Sequence, residues 1–236
     1  MKTLGVIGGL GPMASVYFLQ LLTQMSDART DQEHMEILMY SKPAIPDRTK
    51  YIIGESEDNP VPEMIMAGRK LKEMGADILA IPCITAHYFH KELEDEIGIP
   101  IIHAVEETVS CLGEKQVTRV GILATDGTIR SGLFQKALEQ RGIGSVLPEA
   151  ESQKKVMEII YQQIKTGKNV DLESFCRISE ELSGHGAQVI LLACTELSLI
   201  KRDHDLPAGY LDVMEVLAHK AVESCNRVRK EYRWLI

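Results

Sequence analysis

The sequence has no run of the roughly 20 apolar residues that a helix needs to cross a bilayer. Residues 1–10 lead from a β-rich segment into a glycine turn, without a cleavage site of the signal-peptide type. Low-complexity tracts are absent, and the hydrophobic and charged fractions, 44% and 25%, are those of an ordinary globular protein. These absences predict a packed, cytoplasmic protein without a membrane segment.

Basic residues are fewer than acidic residues, 26 against 34. The formal net charge is −8, and the 26 lysine and arginine residues are scattered along the chain. The basic stripe of a nucleic-acid-binding protein is therefore missing. The 236 residues suffice for one large domain or two small ones. We expect a small-molecule ligand rather than nucleic acid.

Cysteine is sparse, and its spacing argues against the common structural uses. The five residues are an odd number, lie far apart and form no CxxC or paired Cys/His pattern. Neither a disulfide framework nor a zinc site is predicted. Cys111, Cys176 and Cys225 lie in helix-like segments, where a small side chain packs well. Cys83 and Cys194 differ, because each follows an apolar, β-rich segment.

Short apolar segments alternate with helical patterns, which is typical of an α/β fold with parallel sheets. Amphipathic stretches such as Val61–Met74 are predicted to cover the sheet faces. Continuous apolar segments fit strands that are buried on both sides. The predicted strands are Thr3–Ile7, Met35–Tyr40, Asp77–Ile81, Ile99–Ile102, Arg119–Leu123 and Gln188–Leu192.

The two halves of the chain resemble each other. The segment at Gly5 recurs 116 residues later at Gly121, and the segment ending in Cys83 recurs 111 residues later in Cys194. Similar offsets indicate duplication of an α/β unit, although buried parallel strands also resemble each other by chance. We predict two similar α/β domains related by a pseudo-twofold axis, with the active site in the cleft between them. The predicted domains are residues 1–113 and 114–212. Residues 213–236 are predicted to contain a C-terminal helix, from Val213 to about Tyr232, that packs on the first domain.

Cys83 and Cys194 occupy equivalent positions in this scheme. The carboxyl ends of parallel strands are where open α/β sheets bind ligands, and a following helix stabilises a thiolate. Two thiols on opposite sides of a cleft suit inversion of a stereocentre, since one removes the α-proton and the other protonates the opposite face. Taken singly, each cysteine equally fits a small buried side chain. The matched pair favours catalysis.

Two other segments carry candidate binding residues. The turn at Gly8–Ala14 contains Gly9 and Met13, and Pro12 removes a backbone donor where a dinucleotide pyrophosphate would lie. We interpret it as binding a small carboxylate through backbone N–H groups, or as a tight turn only. Ser41–Pro60 is predicted to be a mobile loop over the cleft. Its Arg48 is expected to bind a carboxylate or to remain a solvated surface charge.

The residues near the two cysteines leave further alternatives. His87 and His90 lie one helical turn apart, but without a third ligand of recognisable spacing no metal site is predicted. Glu196 follows Cys194 and Thr195 and either tunes the second thiol or is an acid favoured at a helix start.

Five motifs in this order resemble the aspartate/glutamate racemase family over nearly the whole chain. The resemblance implies two similar α/β domains with the active site between them, no pyridoxal phosphate or metal, and a homodimer. Because both cysteines are present, it implies a racemase that works in both directions. The motifs are Ile7–Ser15, Pro46–Thr49, Pro82–His87, Ala124–Thr128 and Cys194–Glu196.

The resemblance also implies a role for individual residues. Cys83 and Cys194 match the acid–base cysteines, and Thr85 and Thr195 match positions that hold the α-carboxylate. Thr128 lies in the fourth motif and is taken as a further binding residue. The side-chain carboxylate in aspartate-preferring members is bound by residues that match Arg48 and Lys165. An acidic amino acid, with aspartate ahead of glutamate, is the expected substrate.

One residue departs from the family pattern. Ile84 stands where the family usually has asparagine, and the loss of such a hydrogen bond costs about 1–3 kcal/mol if its partner stays unsatisfied. We therefore expect that Ile84 can make the substrate or the activity of this protein differ from those of the family. The alternatives are a cysteine-dependent decarboxylase or cis–trans isomerase on the same fold, a ligand-binding protein derived from a racemase, and a thiol redox protein. The last disagrees with two thiols that flank a substrate.

Overall fold

The computed structural model describes residues 2–230 as an α/β protein with two parallel sheets. The first sheet has the strand order β2-β1-β3. Its strands are β1 (Leu4–Gly8), β2 (Ile37–Ser41) and β3 (Ile78–Ala80). The helices of this half are α1 (Pro12–Met25), α2 (Arg48–Ile52), α3 (Val61–Glu73), α4 (His90–Ile97) and α5 (Ala104–Glu114), with short 3₁₀ helices at Asp31–Glu33 and Ile84–Phe89.

The second sheet has the strand order β5-β4-β6-β7. Its strands are β4 (Arg119–Leu123), β5 (Gly144–Val146), β6 (Val189–Leu192) and β7 (Tyr210–Asp212). A π-helical segment, Ile159–Gln163, and a 3₁₀ turn, Ile164–Thr166, follow the third helix of this half. The helices are α6 (Asp126–Ser131), α7 (Leu133–Gln140), α8 (Ala150–Glu158), α9 (Leu172–Gly184), α10 (Thr195–Asp203) and α11 (Val213–Cys225).

The two sheets have matching topologies. In each, the first strand in sequence is central, the second pairs on one side and the third on the other. The second sheet adds β7 beside β6, and the first has a single parallel bridge, Leu79 to Ile101, at the equivalent place. A helix follows in both halves, α5 after the bridge and α11 after β7. The two similar α/β halves that the sequence predicts are therefore present.

Two glycines show the repeat at atomic scale. A Cβ built on Gly5 in β1 would lie 3.3 Å from Leu71 Cβ, and one on Gly121 in β4 would lie 2.9 Å from Leu182 Cβ. Helices α3 and α9 thus lie directly on the two central strands, and glycine leaves them the space. Leu182 follows Leu71 by 111 residues, which is also the offset between the two cysteines.

The C-terminal helix belongs to the packing of the first half. Helix α11 packs on α1 and α5, and Val228 forms an antiparallel bridge with Ser26. One hydrophobic cluster extends from β1 through α1 and α11 to β4. Because this core is continuous, the division into residues 1–113 and 114–212 stays a prediction.

Several predicted elements differ from the structure. The segment Ile99–Ile102 contributes only a single bridge, and β5 and β7, three residues each, carry no clear strand pattern. Residues 41–60 are not wholly a loop, because they contain α2. The C-terminal helix ends at Cys225 instead of continuing toward Tyr232, and residues 231–236 lie outside the described residues.

None of the helices between residues 2 and 230 has the length and apolar character that crossing a membrane requires.

Candidate active site

The two cysteines lie at equivalent strand ends. Cys83 follows β3 after two residues, and Cys194 follows β6 after one. Both have extended backbone, with φ −151° and ψ 102° at Cys83 and φ −141° and ψ 130° at Cys194, and both directly precede a helix. Their side chains are buried, free thiols. The parallel strand and the following helix thus place each sulfur at the same edge of its sheet.

Both thiols line one small cavity between the halves. Its volume of about 10 Å³ is the space of a single water molecule. It adjoins a larger cavity of about 340 Å³, and residues of both halves line the two cavities. The side chains common to both cavities are Leu10, Asp47, Arg48, Lys165 and Glu196. The small cavity is where the reacting atom of a ligand would meet both sulfurs.

A carboxylate lies next to the second thiol. Cys194 Sγ donates a hydrogen bond to Glu196 Oε2 at 3.0 Å, and Thr195 Oγ1 lies 3.5 Å from the same oxygen. Burial, followed by the charge and the hydrogen bond of Glu196, raises the pKa of the Cys194 thiol well above its ordinary value, while Lys165 acts in the opposite sense. The sequence-based interpretation of Glu196 as a residue next to the thiol therefore matches the geometry.

Arg48 is buried rather than solvated. Its guanidinium donates to the main-chain oxygens of Pro46 at 2.9 Å, Leu10 at 3.1 Å and Ile45 at 3.3 Å. Burial acts to lower the Arg48 pKa, but charge attraction and hydrogen bonding to Cys83 outweigh it, so that the pKa is raised. The Nε atom is buried without a hydrogen-bond partner among the described residues. The prediction that Arg48 lies in a loop is wrong, because Arg48 is the first residue of α2.

Lys165 lies at the boundary of the two cavities. Its Nζ atom is 3.7 Å from Glu196 Oε1 and 4.3 Å from the centroid of the Tyr161 ring. Both Tyr161 and Lys165 belong to the π-helical and 3₁₀ segments, a departure from regular helix of the kind that is frequent at functional sites. The irregular turn brings both side chains to the cavity.

Three threonine hydroxyls join the halves beside Cys83. Thr85 Oγ1 lies 3.0 Å from both Thr125 Oγ1 and Thr128 Oγ1, which are 3.3 Å apart. Thr85 and Thr125 line the small cavity, whereas Thr128 lies outside the cavity-lining residues and supports the other two. A Cβ on Gly127 would lie 2.8 Å from Thr49 Cα, so a glycine there permits this close approach.

The glycine turn shapes the larger cavity. The Gly9 N–H donates to Ser15 Oγ at 2.9 Å, so this donor is already occupied, and its φ of +89° requires glycine. Met13 is 54% exposed at the rim of the larger cavity. A Cβ on Gly11 would lie 2.7 Å from Glu196 Oε1, so glycine at this position leaves room for the carboxylate. The glycine turn thus allows the Glu196 carboxylate to approach the main chain at Gly11.

Ile84 lies between the site and the core. It is 2% exposed, lines the small cavity and belongs to the large hydrophobic cluster. The apolar side chain of Ile84 is buried here at no desolvation cost. A polar side chain in the same place would cost free energy unless it were hydrogen-bonded.

The site contains residues that the sequence does not single out. Asp47 accepts hydrogen bonds from Tyr161 Oη at 3.0 and 3.2 Å and from the Lys50 N–H at 3.0 Å. Burial acts to raise the Asp47 pKa, but the Lys50 N–H, Lys165 and other partners outweigh it, so that the pKa is lowered. Its place beside Arg48 was the available signal for Asp47. For Tyr161, the only sequence signal is its position one helical turn before Lys165.

The histidines near Cys83 use ring nitrogens for main-chain contacts. His87 Nε2 lies 3.1 Å from Ile81 O, and His90 Nε2 lies 2.8 Å from Ile101 O. The ring of His103 is 4.2 Å from that of His90, centroid to centroid. Within the described part of the chain, no three His, Cys, Asp or Glu side chains are arranged to hold a metal ion.

Known proteins are similar to this chain in sequence and in fold. The model of the family described as Asp/Glu/Hydantoin racemase matches residues 7–221. The chain is 27% identical over 227 residues to the broad specificity amino-acid racemase RacX of Bacillus subtilis (strain 168), covering 94% of this chain and 97% of that protein.

Solved structures agree with the sequence matches. The aspartate racemase of Picrophilus torridus is 31% identical, with a TM-score of 0.82 and coverage of 98% of both chains. An aspartate racemase homologue from Pyrococcus horikoshii OT3 is 24% identical, with a TM-score of 0.76 and coverage of 95% of this chain and 99% of the other, and it shares the fold. With a family match over most of its length, the chain belongs to the Asp/Glu/hydantoin racemase family and is thereby an isomerase of the amino-acid racemase class.

Proposed function

We propose that this enzyme interconverts the L and D enantiomers of an acidic amino acid, with aspartate ahead of glutamate, by a two-base mechanism with Cys83 and Cys194. The observation that carries the proposal is the position of the two thiols, at equivalent strand ends of two similar halves and on one cavity. Racemisation needs an acid and a base on opposite faces of the α-carbon. In this mechanism the two thiols carry out both proton transfers, and no cofactor takes part.

Cationic groups near the thiols support an acidic substrate. The buried Arg48 Nε has no hydrogen-bond partner within residues 2–230, and Lys165 lines the same two cavities. A guanidinium binds a carboxylate with two parallel hydrogen bonds, and an ammonium adds a point charge. Thr85 and Thr195 are the proposed partners of the α-carboxylate. Following the family resemblance, we further propose that the enzyme acts as a homodimer.

A racemase with a broader substrate range is the second candidate. Asp47 and Glu196 line the same cavities as Arg48 and Lys165, so four ionised side chains would balance to zero net charge. A balanced cavity discriminates less strongly in favour of an anionic side chain. The larger cavity also has apolar walls, including Ile45. The sequence similarity to a protein named as a broad specificity racemase is in keeping with this reading.

Incubation of single enantiomers in deuterated water tests the proposal. We expect loss of optical activity together with α-deuterium incorporation for aspartate, and at a lower rate for glutamate. Activity on neutral or basic amino acids at a similar rate would support the broader range. Carbon dioxide release without racemisation would indicate a decarboxylase, and binding without exchange would indicate a ligand-binding protein. Absence of α-proton exchange with every amino acid would contradict the two-base proposal.

A further inference from the structure

The two thiols have neighbours of opposite charge. Cys83 interacts with the guanidinium of Arg48, whereas Cys194 donates its proton toward the carboxylate of Glu196. Both charged groups are buried, with exposures of 8% for Arg48 and 5% for Glu196. Solvent therefore screens these interactions less than it would screen a surface pair. The repeat that makes the thiols equivalent in position does not make them equivalent electrostatically.

The carboxylate of Glu196 is fixed on both of its oxygens. Oε2 accepts the Cys194 hydrogen bond at 3.0 Å, and Oε1 lies 3.7 Å from Lys165 Nζ. The absence of a side chain at Gly11 leaves room for Oε1, since a Cβ there would approach to 2.7 Å. A carboxylate held in this way is an acceptor for a thiol proton and a like charge for a thiolate.

Within the described residues, the other ionisable side chains that line the small cavity with Cys194 and Glu196 are Cys83, Asp47 and Arg48 of the first half and Tyr161 and Lys165 of the second. Lys165 and Tyr161 face the carboxylate and the thiol from the irregular segments before α9, and Asp47 binds Tyr161 from the first half. On α10, Lys201 is engaged with Glu215 of α11. Ser198 Oγ donates a hydrogen bond to Asp212 at the N-terminus of α11, and this pair belongs with Lys201 and Glu215 to a cluster separate from the cavity. Lys165 is therefore the cation that opposes Glu196 at Cys194.

We propose that Glu196 is a positioning residue that holds Cys194 as a protonated thiol in the resting enzyme, so that for the enantiomer whose α-proton faces Cys83, Cys194 is the acid and Cys83, beside Arg48, is the base. The opposite enantiomer reacts with the form that this turnover leaves, in which Cys83 carries the proton and Cys194 is the thiolate. This inference rests on the proposed function. The Cys83 thiolate takes the α-proton, so that a C–H bond breaks and an S–H bond forms. The Cys194 S–H bond then breaks as its proton passes to the opposite face of the α-carbon. The enzyme returns to rest when the Cys83 proton is lost and Cys194 regains one.

Thiolate absorbance in the ultraviolet tests the resting state without turnover. The pH titration of Cys83→Ala minus that of Cys83→Ala/Cys194→Ala isolates the Cys194 signal from the other cysteines. We expect no Cys194 thiolate at pH 9.0, because burial and Glu196 keep its pKa well above that value. Adding Glu196→Gln, which keeps a hydrogen-bond acceptor but removes the charge, should lower the titration midpoint by at least about one pH unit.

Two further variants separate an electrostatic role from a structural one. Lys165→Met removes the opposing cation and should move the Cys194 titration in the other direction, to higher pH. Glu181→Gln is the matched control, because this carboxylate of the same half binds Ser152 and the Glu149 N–H instead. It should leave the titration unchanged. A variant that failed to fold would lose its circular dichroism spectrum, and Lys165→Met would then carry the test alone.

The pH profile of racemisation supplies an independent readout. The alkaline limb of kcat/KM reports loss of the essential acid proton, so in Glu196→Gln it should move to lower pH by a similar amount. Identical Cys194 titrations with and without Glu196, or Cys194 thiolate already present at neutral pH, would overturn the inference. If the wild-type protein racemises no amino acid but the titrations shift as expected, the proposed function fails while the inference about Glu196 stands.

Discussion

At the scale of single residues, the neighbours of Cys83 and Cys194 separate them from the other cysteines. Cys111 and Cys225 carry thiols whose pKa is raised by burial, and neither lines the cavities between the halves. Cys176 is exposed on α9. Of these five, Cys83 and Cys194 line the small cavity, where Cys83 meets the Arg48 guanidinium and Cys194 meets the Glu196 carboxylate.

Replacement of either cavity thiol should nearly abolish racemisation. Cys83→Ala and Cys194→Ala each remove one of the two proton-transfer groups, and we expect losses of at least about a hundredfold in both directions. Chiral chromatography of the product from each enantiomer measures the effect. Cys176→Ala, with an exposed side chain, should keep wild-type rates. Full activity in either cavity variant would be incompatible with two bases.

At the scale of elements, close contact between helices and central strands sets the geometry of both halves. Gly5→Ala would place a Cβ 2.4 Å from Leu79 Cδ2, and Gly121→Ala would place one 2.8 Å from Ile190 Cδ1. Each should lower the free energy of unfolding by about 1–3 kcal/mol, through overpacking. Urea denaturation followed by circular dichroism measures this loss.

The matched control for these glycines lies on α5. Gly113→Ala meets nothing within 4 Å and sits in a helix, so it should leave stability unchanged or raise it by up to about 1 kcal/mol. Equal effects at all three glycines would show that the close approach on the strands is unimportant.

The start of α11 should make stability depend on pH. Burial, followed by the charge of Glu215, raises the pKa of Asp212 from 3.8 to about 7. The unfolded chain therefore loses this proton near pH 4 while the folded protein keeps it, so folding is penalised increasingly between about pH 4 and pH 7.

Asp212→Asn tests this prediction. Asparagine keeps an oxygen that can accept from Ser198 Oγ and the Met214 N–H, and it does not ionise. Relative to wild type, the variant should gain stability as pH rises through the window and reach a constant difference above it. Urea denaturation at several pH values measures the difference. A difference that does not vary with pH would exclude titration of Asp212 as the cause.

At the scale of the whole molecule, the cleft is closed. The cavity that both thiols line holds about one water, whereas the two-base proposal requires a substrate amino acid to reach both sulfurs. Hydrogen bonds that span the halves, Tyr161 to Asp47 and Thr85 to Thr125, oppose separation. We therefore expect the walls of the small cavity to separate when substrate enters from the larger cavity, with these contacts opening.

Alkylation of the cavity thiols should report that opening. Tyr161→Phe removes the hydroxyl that bonds Asp47, and loss of about 0.5–1.5 kcal/mol should raise the alkylation rate of Cys83 and Cys194 roughly two- to tenfold. Mass spectrometry assigns the label to each cysteine. The exposed Cys176 provides the internal control and should react equally in both proteins. Unchanged rates at the cavity thiols would mean that this contact does not hold the cleft closed.

The sequence predicts those parts of the site that local pattern determines. A buried strand followed by cysteine and a helix start locates both thiols, and Glu196 follows from adjacency to Cys194. The burial of Arg48 does not follow, because prolines suggest a loop while the Asp47 side chain caps a short helix through the Lys50 N–H. Contacts between distant residues are also beyond local pattern, as for Tyr161 and Asp47, 114 positions apart.

The repeat contains stretches of equal length and stretches of unequal length in the two halves. From Leu71 to Cys83 and from Leu182 to Cys194 the halves keep the same length, whereas the stretch from Gly5 to Leu71 is five residues longer than that from Gly121 to Leu182. The unequal stretches carry Arg48 in one half and Lys165 in the other. Under the proposed function, these two carboxylate-binding residues lie in the stretches of unequal length and the two cysteines lie outside them, so that exchanging these stretches would alter substrate binding and leave the cysteines in place.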